Sequence, residues 1–549
     1  MNSAMNSAQS DSFIRDRLPP TEQLPQLRYE FDPSVKTLVL KPQLNLVQEL
    51  LDKAALKGFS DRPLLRSPRI TLTYADVNDR VNRIAQVLIE DLGLVPGNRV
   101  LLRGGNSVGM ALAWLAVVKA GLIAVATMPL LRASELGDII DKAQPTVALC
   151  DIKLMDELLM AQRMAQSQHP VLTTLLPFNV MVHPQGLTTL SSQKDGHFTA
   201  CPTLATDIAL LAFTSGTTGK PKAAVHTHRD VLAACEAWPR HVLQATPDDI
   251  IVGSPPLAFT FGLGGLLIFP MWAGASVYFP DLAYTPEVMV NFMNEVGATI
   301  CYTAPTFYRQ MAPFAKALGL PKLRISVSAG EALPDATRQL WKQSTGLEML
   351  DGIGATEMFH IFISSAGKDV KAGAIGKVVP GYTAKVVDDA GNEVPRGTVG
   401  KLAVIGPTGC RYFDDARQLN YVKNGWNYPG DAFIQDEAGY FCYQARDDDM
   451  IITAGYNVGA PEVEDALLKH PAVVECAVIG QKDDERGMVV RAFVVLKQDN
   501  VADEAMVKTL QDHVKAAIAP YKYPRIVSFV DKLPRTETGK LQRFKLRQL

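Results

Sequence analysis

Hydrophobic and polar positions alternate in blocks along most of the chain. From Leu46 to about Cys150, stretches with helical apolar spacing are interrupted by short apolar runs. RVLLRG at 99–104 is predicted as a strand, and VGMALAWLAVVKAG at 108–121 as a helix that ends at Gly121. The alternation resumes from Ile208 to about Ser365, where ALLAFTSG, IIVGSPP, TICYTAP and ISVSAG read as apolar strands running into loops. Strand–loop–helix alternation implies an α/β fold with two parallel-rich sheets covered by helices, and ligands in such folds sit beyond the carboxyl ends of the strands. From Ala374 to Tyr443 the texture changes. TAKVVDD, GKLAVIG and YFCYQ alternate with Gly and Asn turns and predict a small β-barrel or sheet. Beyond 446–449 the order becomes helix, strand, strand, helix, strand, in PEVEDALLKH, VVECAVIG, VVRAFVVL, EAMVKTLQDHVKAAI and RIVSFV. The expected organisation is therefore an arm over 1–35, a large body over 36–447 and a small α+β C-terminal domain over 448–549.

Composition narrows the function classes. Lys plus Arg is 55 and Asp plus Glu is 57, a formal net charge of −2, so no basic surplus invites nucleic acid. The seven cysteines are scattered and never form a C-x-x-C pair, which suggests reduced thiols in a cytoplasmic protein rather than a disulfide frame or a zinc site. The N-terminus has no positive region followed by an apolar core, so no secretory signal is expected. Residues 250–280 carry no charge, but Pro255, Pro256 and Pro270 cut the stretch and Asp248, Asp249 and Asp281 flank it. A buried strand–loop–helix–strand passage is expected there, not a membrane span.

The sharpest chemical signal is Thr214-Ser215-Gly216-Thr217-Thr218-Gly219-Lys220-Pro221-Lys222, directly after the apolar run IALLAF. Small hydroxyl residues and two glycines let backbone N–H groups close around phosphate oxygens, and Lys222 adds positive charge. Pro221 after the lysine excludes a Walker A loop. A solvent-exposed turn is the plainer reading of any generic glycine loop; nine such residues after a buried strand argue for phosphate instead.

This run resembles the phosphate loop of the adenylate-forming superfamily, which holds acyl-CoA synthetases, adenylation domains of peptide synthetases and luciferases. Further signatures follow in the family's order, from about residue 40 to Leu549. Ser328-Ala329-Gly330-Glu331-Ala332 resembles the segment that lies along adenine. Asp351-Gly352-Ile353-Gly354-Ala355-Thr356-Glu357 resembles the aromatic-G-x-T-E motif, with Ile353 where the family usually has an aromatic residue. By that resemblance Thr356 touches the α-phosphate and Glu357 holds Mg²⁺. Pro429-Gly430-Asp431 resembles the motif whose aspartate binds ribose, and Arg446, near Tyr443, resembles the arginine that joins it. Leu533-Pro534-Arg535-Thr536-Glu537-Thr538-Gly539-Lys540 resembles the catalytic lysine loop; taken alone, Lys540 would be a surface lysine.

The resemblance implies a two-step reaction. An acid attacks the α-phosphate of ATP with Glu357, Thr356 and Lys540 assisting, and a thiol of coenzyme A then displaces AMP. It also implies that the C-terminal domain turns about a hinge at Asp448, withdrawing Lys540 and presenting Ala454, Gly455, Tyr456 and Asn457 to the thiol. The acid pocket is expected from Phe259, Thr260, Phe261, Gly262 and Gly330, with Gly354, His360 and Ile361 bordering the ring. The segment Glu357-Met358-Phe359-His360-Ile361-Phe362 is similar to benzoate-type aryl-CoA ligases, and phenylalanines beside glycine suit a planar ring. Each of these aromatics could also be ordinary core. The segment 253–265 and the arm Phe13-Ile14-Arg15-Asp16-Arg17-Leu18-Pro19-Pro20 resemble 2-aminobenzoate (anthranilate)-CoA ligases. The reading is therefore an aryl-CoA ligase using ATP, Mg²⁺ and coenzyme A, acting on 2-aminobenzoate, with benzoate or hydroxybenzoate as alternatives. A stand-alone adenylation enzyme loading a carrier protein is the rival. Partners are small molecules, without nucleic acid or membrane span, in a monomer or homodimer.

Overall fold

The computed structural model describes residues 7–164, 171–180, 183–214, 221–280, 282–446, 450–453, 456–483, 486–535 and 541–549. Two large sheets form the body. One has nine strands in the order Lys377–Val378, Ile361–Ser365, Met349–Gly354, Ile325–Ser328, Ile300–Thr303, Ile250–Gly253, Ser276–Tyr278, Pro63–Arg66, Thr71–Thr73. All neighbours from Met349–Gly354 to Pro63–Arg66 are parallel, and the strands outside them are antiparallel. The other has six strands, ordered Thr174–Phe178, Val147–Asp151, Arg99–Arg103, Ile123–Thr127, Ile208–Thr214, Lys222–Thr227, parallel except for the last pair.

Local chemistry sets the helix ends. Val108–Lys119 starts where Ser107 Oγ accepts the N–H of Met110 and stops before Gly121, whose φ of +77° suits a residue without Cβ. A Cβ at Gly121 would also lie 2.6 Å from Cys201 Sγ. The helix is buried almost all round, because it packs between sheet and neighbouring helices. The uncharged 250–280 stretch forms strand Ile250–Gly253, a helical passage broken into Thr260–Leu263, Gly264–Ile268 and Phe269–Ala273, and strand Ser276–Tyr278. No helix among the described residues is long and apolar enough to cross a membrane. All seven cysteines are free thiols.

The β-rich segment expected as a small barrel or sheet is a six-stranded antiparallel sheet. It is ordered Val422–Lys423, Trp426–Asn427, Gly400–Ile405, Asp431–Gln435, Phe441–Arg446, with Thr383–Val387 also on Gly400–Ile405. Among the described residues its first and last strands do not pair with each other. The C-terminal residues build a separate five-stranded sheet around Gly487–Leu496, with helices Ala460–Leu468 and Glu504–Ala517. This unit touches the body through Ala336 N–H to Asp465 Oδ1 (2.8 Å), Arg309 Nη2 to the Leu468 carbonyl (3.4 Å) and Arg535 Nη1 to Glu331 Oε1 (3.3 Å).

The arm lies on the body. Gln9 exchanges hydrogen bonds with both backbone groups of Ile208, at the root of the strand that leads to the phosphate-loop sequence. Phe13 is sandwiched near the guanidinium groups of Arg17 and Arg99, at 4.1 and 4.6 Å from its ring centre.

Candidate functional site

Four neighbouring parallel strands, Ile250–Gly253, Ile300–Thr303, Ile325–Ser328 and Met349–Gly354, share one direction, so their carboxyl ends lie along one edge. The segments leaving that edge are 254–262, then Gly330-Glu331-Ala332, then Ala355-Thr356-Glu357. From the other large sheet, Thr214 ends its strand opposite Lys222. Ser215, Gly216, Thr217, Thr218 and Gly219, between them, lie outside the described residues. Thr214 Oγ1 is buried with no hydrogen-bond partner among the described residues.

Glu357 is the electrostatic centre of this edge. It sits in the short turn Thr356–Met358 and is only 7% exposed. Its Oε1 accepts a short hydrogen bond from Tyr412 Oη, which in turn accepts one from Lys222 Nζ at 2.8 Å. Lys222 Nζ stands 3.6 Å from the same carboxylate oxygen. Burial first, and then the Glu357 charge, drive the Tyr412 pKa far above its ordinary value, so the phenol stays a donor. The Thr356 carbonyl accepts from His226 Nε2 at 2.7 Å, which fixes the proton on that nitrogen. Burial holds the His226 imidazole neutral by lowering its pKa. The next strand residue inward, Thr227, caps the helix His228–Cys235 with Asp230, and Asp230 forms a buried ion pair with Arg411 at 2.6 Å. Arg411 and Tyr412 are thus anchored from opposite sides.

This arrangement suits a hard divalent cation. Glu357 Oε2 takes part in none of these contacts, and a carboxylate steadied through one oxygen can offer the other. No group of three or more His, Cys, Asp or Glu side chains clusters among the described residues. One carboxylate with substrate phosphates is a normal Mg²⁺ environment, whereas Zn²⁺ would demand a fuller set.

The nucleotide-side candidates fall into two groups. Asp431 opens its strand opposite Arg446, which donates to Asp431 Oδ1 at 3.2 Å and to the Pro429 carbonyl at 3.0 Å. Gly430 has φ of +83°, and a Cβ there would lie 2.9 Å from Arg446 Nη2. Tyr443 packs its ring against Phe433 at 5.5 Å. On the other side, Gly330 (φ +92°) and Ala332 face open solvent, while Glu331 accepts from Thr306 Oγ1 at 2.8 Å and pairs with Arg535. Asp351 is buried 3.8 Å from Arg338, and burial pushes its pKa up to about 7 against the pull of that guanidinium. Gly352 leaves room for Ile361, whose methyl would lie 2.7 Å from an added Cβ, and Ile353 packs half-buried on the core.

The acid-side candidates gather around His360. Its ring centre lies 4.6 Å from Phe269, 5.2 Å from Trp238 and 5.5 Å from Phe261. Phe261 also meets Tyr302 at 5.8 Å. Glycines permit this closeness. A Cβ at Gly264 would lie 2.6 Å from the His360 ring, one at Gly265 2.7 Å from the Tyr302 ring, and one at Gly354 2.7 Å from the His360 carbonyl. Thr260 and Gly262 belong to the helix that follows Phe259; Phe259 makes none of the ring contacts to His360. Phe359, between Glu357 and His360, is buried with φ of +69°, a conformation that only its surroundings can enforce.

Lys540, Asp448, Ala454 and Gly455 lie outside the described residues, and Tyr456 and Asn457 are described only as a strand paired with Ile451–Thr453. The sequence reading missed Tyr412, His226, Trp238 and Tyr302. None of them stands in a recognisable motif: Tyr302 lies in the apolar run TICYTAP, and Trp238 and Tyr412 lie among mixed residues, Glu236-Ala237-Trp238-Pro239-Arg240 and Gly409-Cys410-Arg411-Tyr412-Phe413-Asp414.

With this geometry in hand, comparison with known proteins is informative. The signature of the AMP-binding enzyme family matches residues 51–412, and that of the AMP-binding enzyme C-terminal domain matches residues 462–540. The benzoate–CoA ligase of Thauera aromatica is 34% identical over 520 residues, covering 94% of this chain and 97% of that protein. The 4-hydroxybenzoate–CoA/benzoate–CoA ligase of Rhodopseudomonas palustris is 30% identical, covering 92% of this chain and 94% of its own length. The crystal structure of the anthranilate CoA ligase AuaEII in complex with anthranoyl-AMP superposes with a TM-score of 0.87 at 34% identity, covering 93% of this chain and 98% of that one.

Proposed function

The chain belongs to the AMP-binding enzyme family, and from that premise we propose that it is an acid–thiol ligase joining an aromatic carboxylic acid to coenzyme A, with ATP cleaved to AMP and diphosphate. The observation that carries the proposal is the aromatic, glycine-walled cluster around His360, three residues along the chain from Glu357, which Tyr412 and Lys222 hold at the same strand-end edge. Aromatic side chains beside a phosphate-handling edge suit the planar ring of an aryl acid awaiting activation.

A carboxylate resists attack because its charge repels nucleophiles and oxide cannot leave. Attack of one carboxylate oxygen on the α-phosphorus of ATP forms an acyl–O–P bond and breaks the bond to diphosphate, which departs. The thiolate sulfur of coenzyme A then attacks the acyl carbon, and AMP leaves with the bonding pair. In this scheme the 214–222 segment cradles phosphate oxygens, the Thr356 hydroxyl donates to the α-phosphate and Lys540 bridges acid and phosphate. Asp431, steadied by Arg446, accepts the ribose hydroxyls. Mg²⁺ held by Glu357 would supply charge neutralisation at the departing diphosphate. The His226 bond to the Thr356 carbonyl and the Tyr412 bond to Glu357 keep these two side chains from drifting. The body over 36–447 and the domain over 448–549 would then turn about Asp448, exchanging Lys540 for the segment 454–457 in the second step.

We favour 2-aminobenzoate as the acid, on the likeness of the 253–265 segment and of the whole chain to the anthranilate ligase. Benzoate and hydroxybenzoate are the alternatives, supported by the other relatives. The deciding measurement is exchange of labelled diphosphate into ATP with a panel of aryl acids, followed by AMP release with and without coenzyme A. Exchange with aryl acids and turnover only with coenzyme A is the expected result. Exchange without turnover on free coenzyme A would favour carrier-protein loading, and no exchange with any aryl acid would end the proposal.

A further inference from the structure

Tyr412 is held from two sides. Arg411 and Phe413 pair with the strand that begins at Lys222: Val225 N–H donates to the Arg411 carbonyl at 2.8 Å, and Phe413 N–H to the Ala223 carbonyl at 2.9 Å. Alternate residues of such an edge turn their backbone groups away from the ladder, so the Tyr412 N–H faces outward and needs a partner of its own. Gln418, 1% exposed, supplies it: its Oε1 accepts the Tyr412 N–H at 2.9 Å. The rest of the amide is used as fully. Nε2 donates to the Cys410 carbonyl at 3.1 Å and to the Gln23 carbonyl of the N-terminal arm at 2.9 Å. Two carbonyls and one N–H leave a single orientation for this amide, with its oxygen toward Tyr412.

The arm is seated on the same segment on both sides of Tyr412. Gln26 N–H donates to the Gly425 carbonyl and Arg28 N–H to the Gly406 carbonyl, each at 2.9 Å, and Asp414 N–H donates to the Arg17 carbonyl at 3.2 Å. The approach is close enough to require glycine. A Cβ at Gly409 would lie 2.5 Å from Pro25 Cγ, and Gly425, with φ of +78°, would place one 3.1 Å from Gln26 Cβ. Ahead of these ties Phe13 meets the Phe413 ring at 5.8 Å, and Ile14, 1% exposed, shares one apolar cluster with Phe413. Terminal segments stay loose unless they are tied down in this way.

The consequence lies at the other end of the tyrosine. Tyr412 Oη donates to Glu357 and accepts from Lys222 Nζ, so any drift of its backbone reaches the carboxylate and the ammonium together. We propose that Gln418 is a positioning residue for the phosphate edge, and that through it the N-terminal arm sets how Tyr412 spaces Lys222 and Glu357. Naming ATP as the ligand of that edge rests on the proposed ligase function; the tie from arm to tyrosine does not. Gln418 acts through Tyr412 and not on the ligand, since its side-chain hydrogen bonds end on Cys410, Tyr412 and Gln23.

The test is a double-mutant cycle on MgATP binding, read by calorimetry in the full-length protein without any acid, alongside steady-state diphosphate exchange. Gln418→Met keeps the volume and removes the three hydrogen bonds. It should raise the Kd for MgATP about three- to thirtyfold while leaving KM for the aryl acid within about twofold. In a Tyr412→Phe background, where no phenol remains to be misplaced, the same change should add less than about twofold. Phe13→Ala, in the arm, should weaken MgATP about two- to fivefold with the same sparing of the acid. That variant carries the test if Gln418→Met does not fold. Three results overturn the inference. Equal losses for MgATP and acid in Gln418→Met, or loss of neither, assign Gln418 a packing role only. Losses that multiply in the double variant show that Gln418 does not act through Tyr412. Native affinity for MgATP in Phe13→Ala excludes the arm. Failure of every aryl acid in exchange counts against the proposed substrate alone, because the calorimetric cycle uses no acid, and a native protein that binds no MgATP removes both readings.

Discussion

Tyr412 donates to Glu357 Oε1 and accepts from Lys222 Nζ, so one phenol holds a carboxylate and an ammonium 3.6 Å apart without letting them close. Tyr412→Phe keeps the ring and deletes the spacer. Lys222 is then free to close directly on the carboxylate, where it competes with a divalent cation. The expected outcome is a rise in the Mg²⁺ concentration needed for half-maximal diphosphate exchange, together with a loss of about ten- to a hundredfold in kcat/KM for ATP. Calorimetric titration of MgATP into the variant gives a second readout independent of turnover. An unchanged Mg²⁺ requirement would show that the phenol only fills space.

Arg535 joins Glu331 of the body and Glu475 of the C-terminal unit, each at 3.3 Å, and its backbone forms a bridge with Leu541. The two ends of the segment carrying Lys540 are thus held side by side, against the strand edge that binds ATP in the proposed function. Arg535→Glu should slow adenylate formation about three- to tenfold while sparing thioester formation from a supplied acyl-adenylate. Adding Glu331→Arg should recover part of the loss. Equal damage to both half-reactions in the single variant, without recovery in the double, would dissociate this pair from the first step.

How far the sequence reaches is visible in these same residues. Phosphate and cation handling require specific residue types in unbroken runs, so 214–222 and 354–357 stood out locally, and apolar strand runs such as 99–103 and 300–303 were readable because buried parallel strands are hydrophobic on both faces. Tyr412 was not readable because its meaning lies in a partner 55 residues away. Trp238 and Tyr302 are hidden for a related reason: their place in the His360 cluster follows from packing between distant segments, and in sequence such aromatics read as ordinary core. Whether the 374–446 strands close into a barrel depends on pairing between their outermost members, a long-range event to which the local Gly and Asn turns are indifferent.

Stability should respond to pH in a way whose sign is set by three buried groups. His228 and His360 have pKa values pushed down to about 3 by burial, from an ordinary 6.5. Above pH 6.5 both folded and unfolded chains hold them neutral and their contribution is intact; as pH falls below 6.5, only the unfolded chain takes up protons and stability drops. Asp351 acts oppositely, since its pKa is raised to about 7 and the folded chain holds a proton that the unfolded chain has lost down to about pH 4. Between pH 6.5 and 4 these three groups sum to a net loss of about one proton's worth, roughly 1.4 kcal/mol per pH unit. His228 lies away from the strand-end edge, its Nδ1 accepting the Leu46 N–H at 3.2 Å, so His228→Gln isolates one component. Urea unfolding of that variant at pH 5, 6 and 7 should show a flatter dependence, and Asp351→Asn a steeper one. Parallel curves for all three proteins would exclude this linkage.

Gly264 separates space from backbone conformation at the acid pocket. Its φ of −61° and ψ of −59° are helical, so alanine is welcome to the backbone and even favoured there by about 1 kcal/mol. The added Cβ, however, would lie 2.6 Å from His360 Cδ2 and 3.0 Å from Phe269 Cε2, inside a packed aromatic cluster. Gly330 is the converse: its φ is +92° but nothing lies within 4 Å of an added Cβ. Overpacking at Gly264 must push the His360 ring toward the acid or displace Phe269, at a cost of about 1–3 kcal/mol. Gly264→Ala should therefore raise KM for the aryl acid about ten- to a hundredfold and leave KM for ATP within about twofold. Gly330→Ala, strained at the nucleotide edge, should shift the two constants in the opposite order, with ATP the more affected. Steady-state kinetics with each substrate varied in turn distinguishes the pair. If Gly264→Ala weakens ATP as much as the acid, the His360 cluster is not the wall that the ring meets.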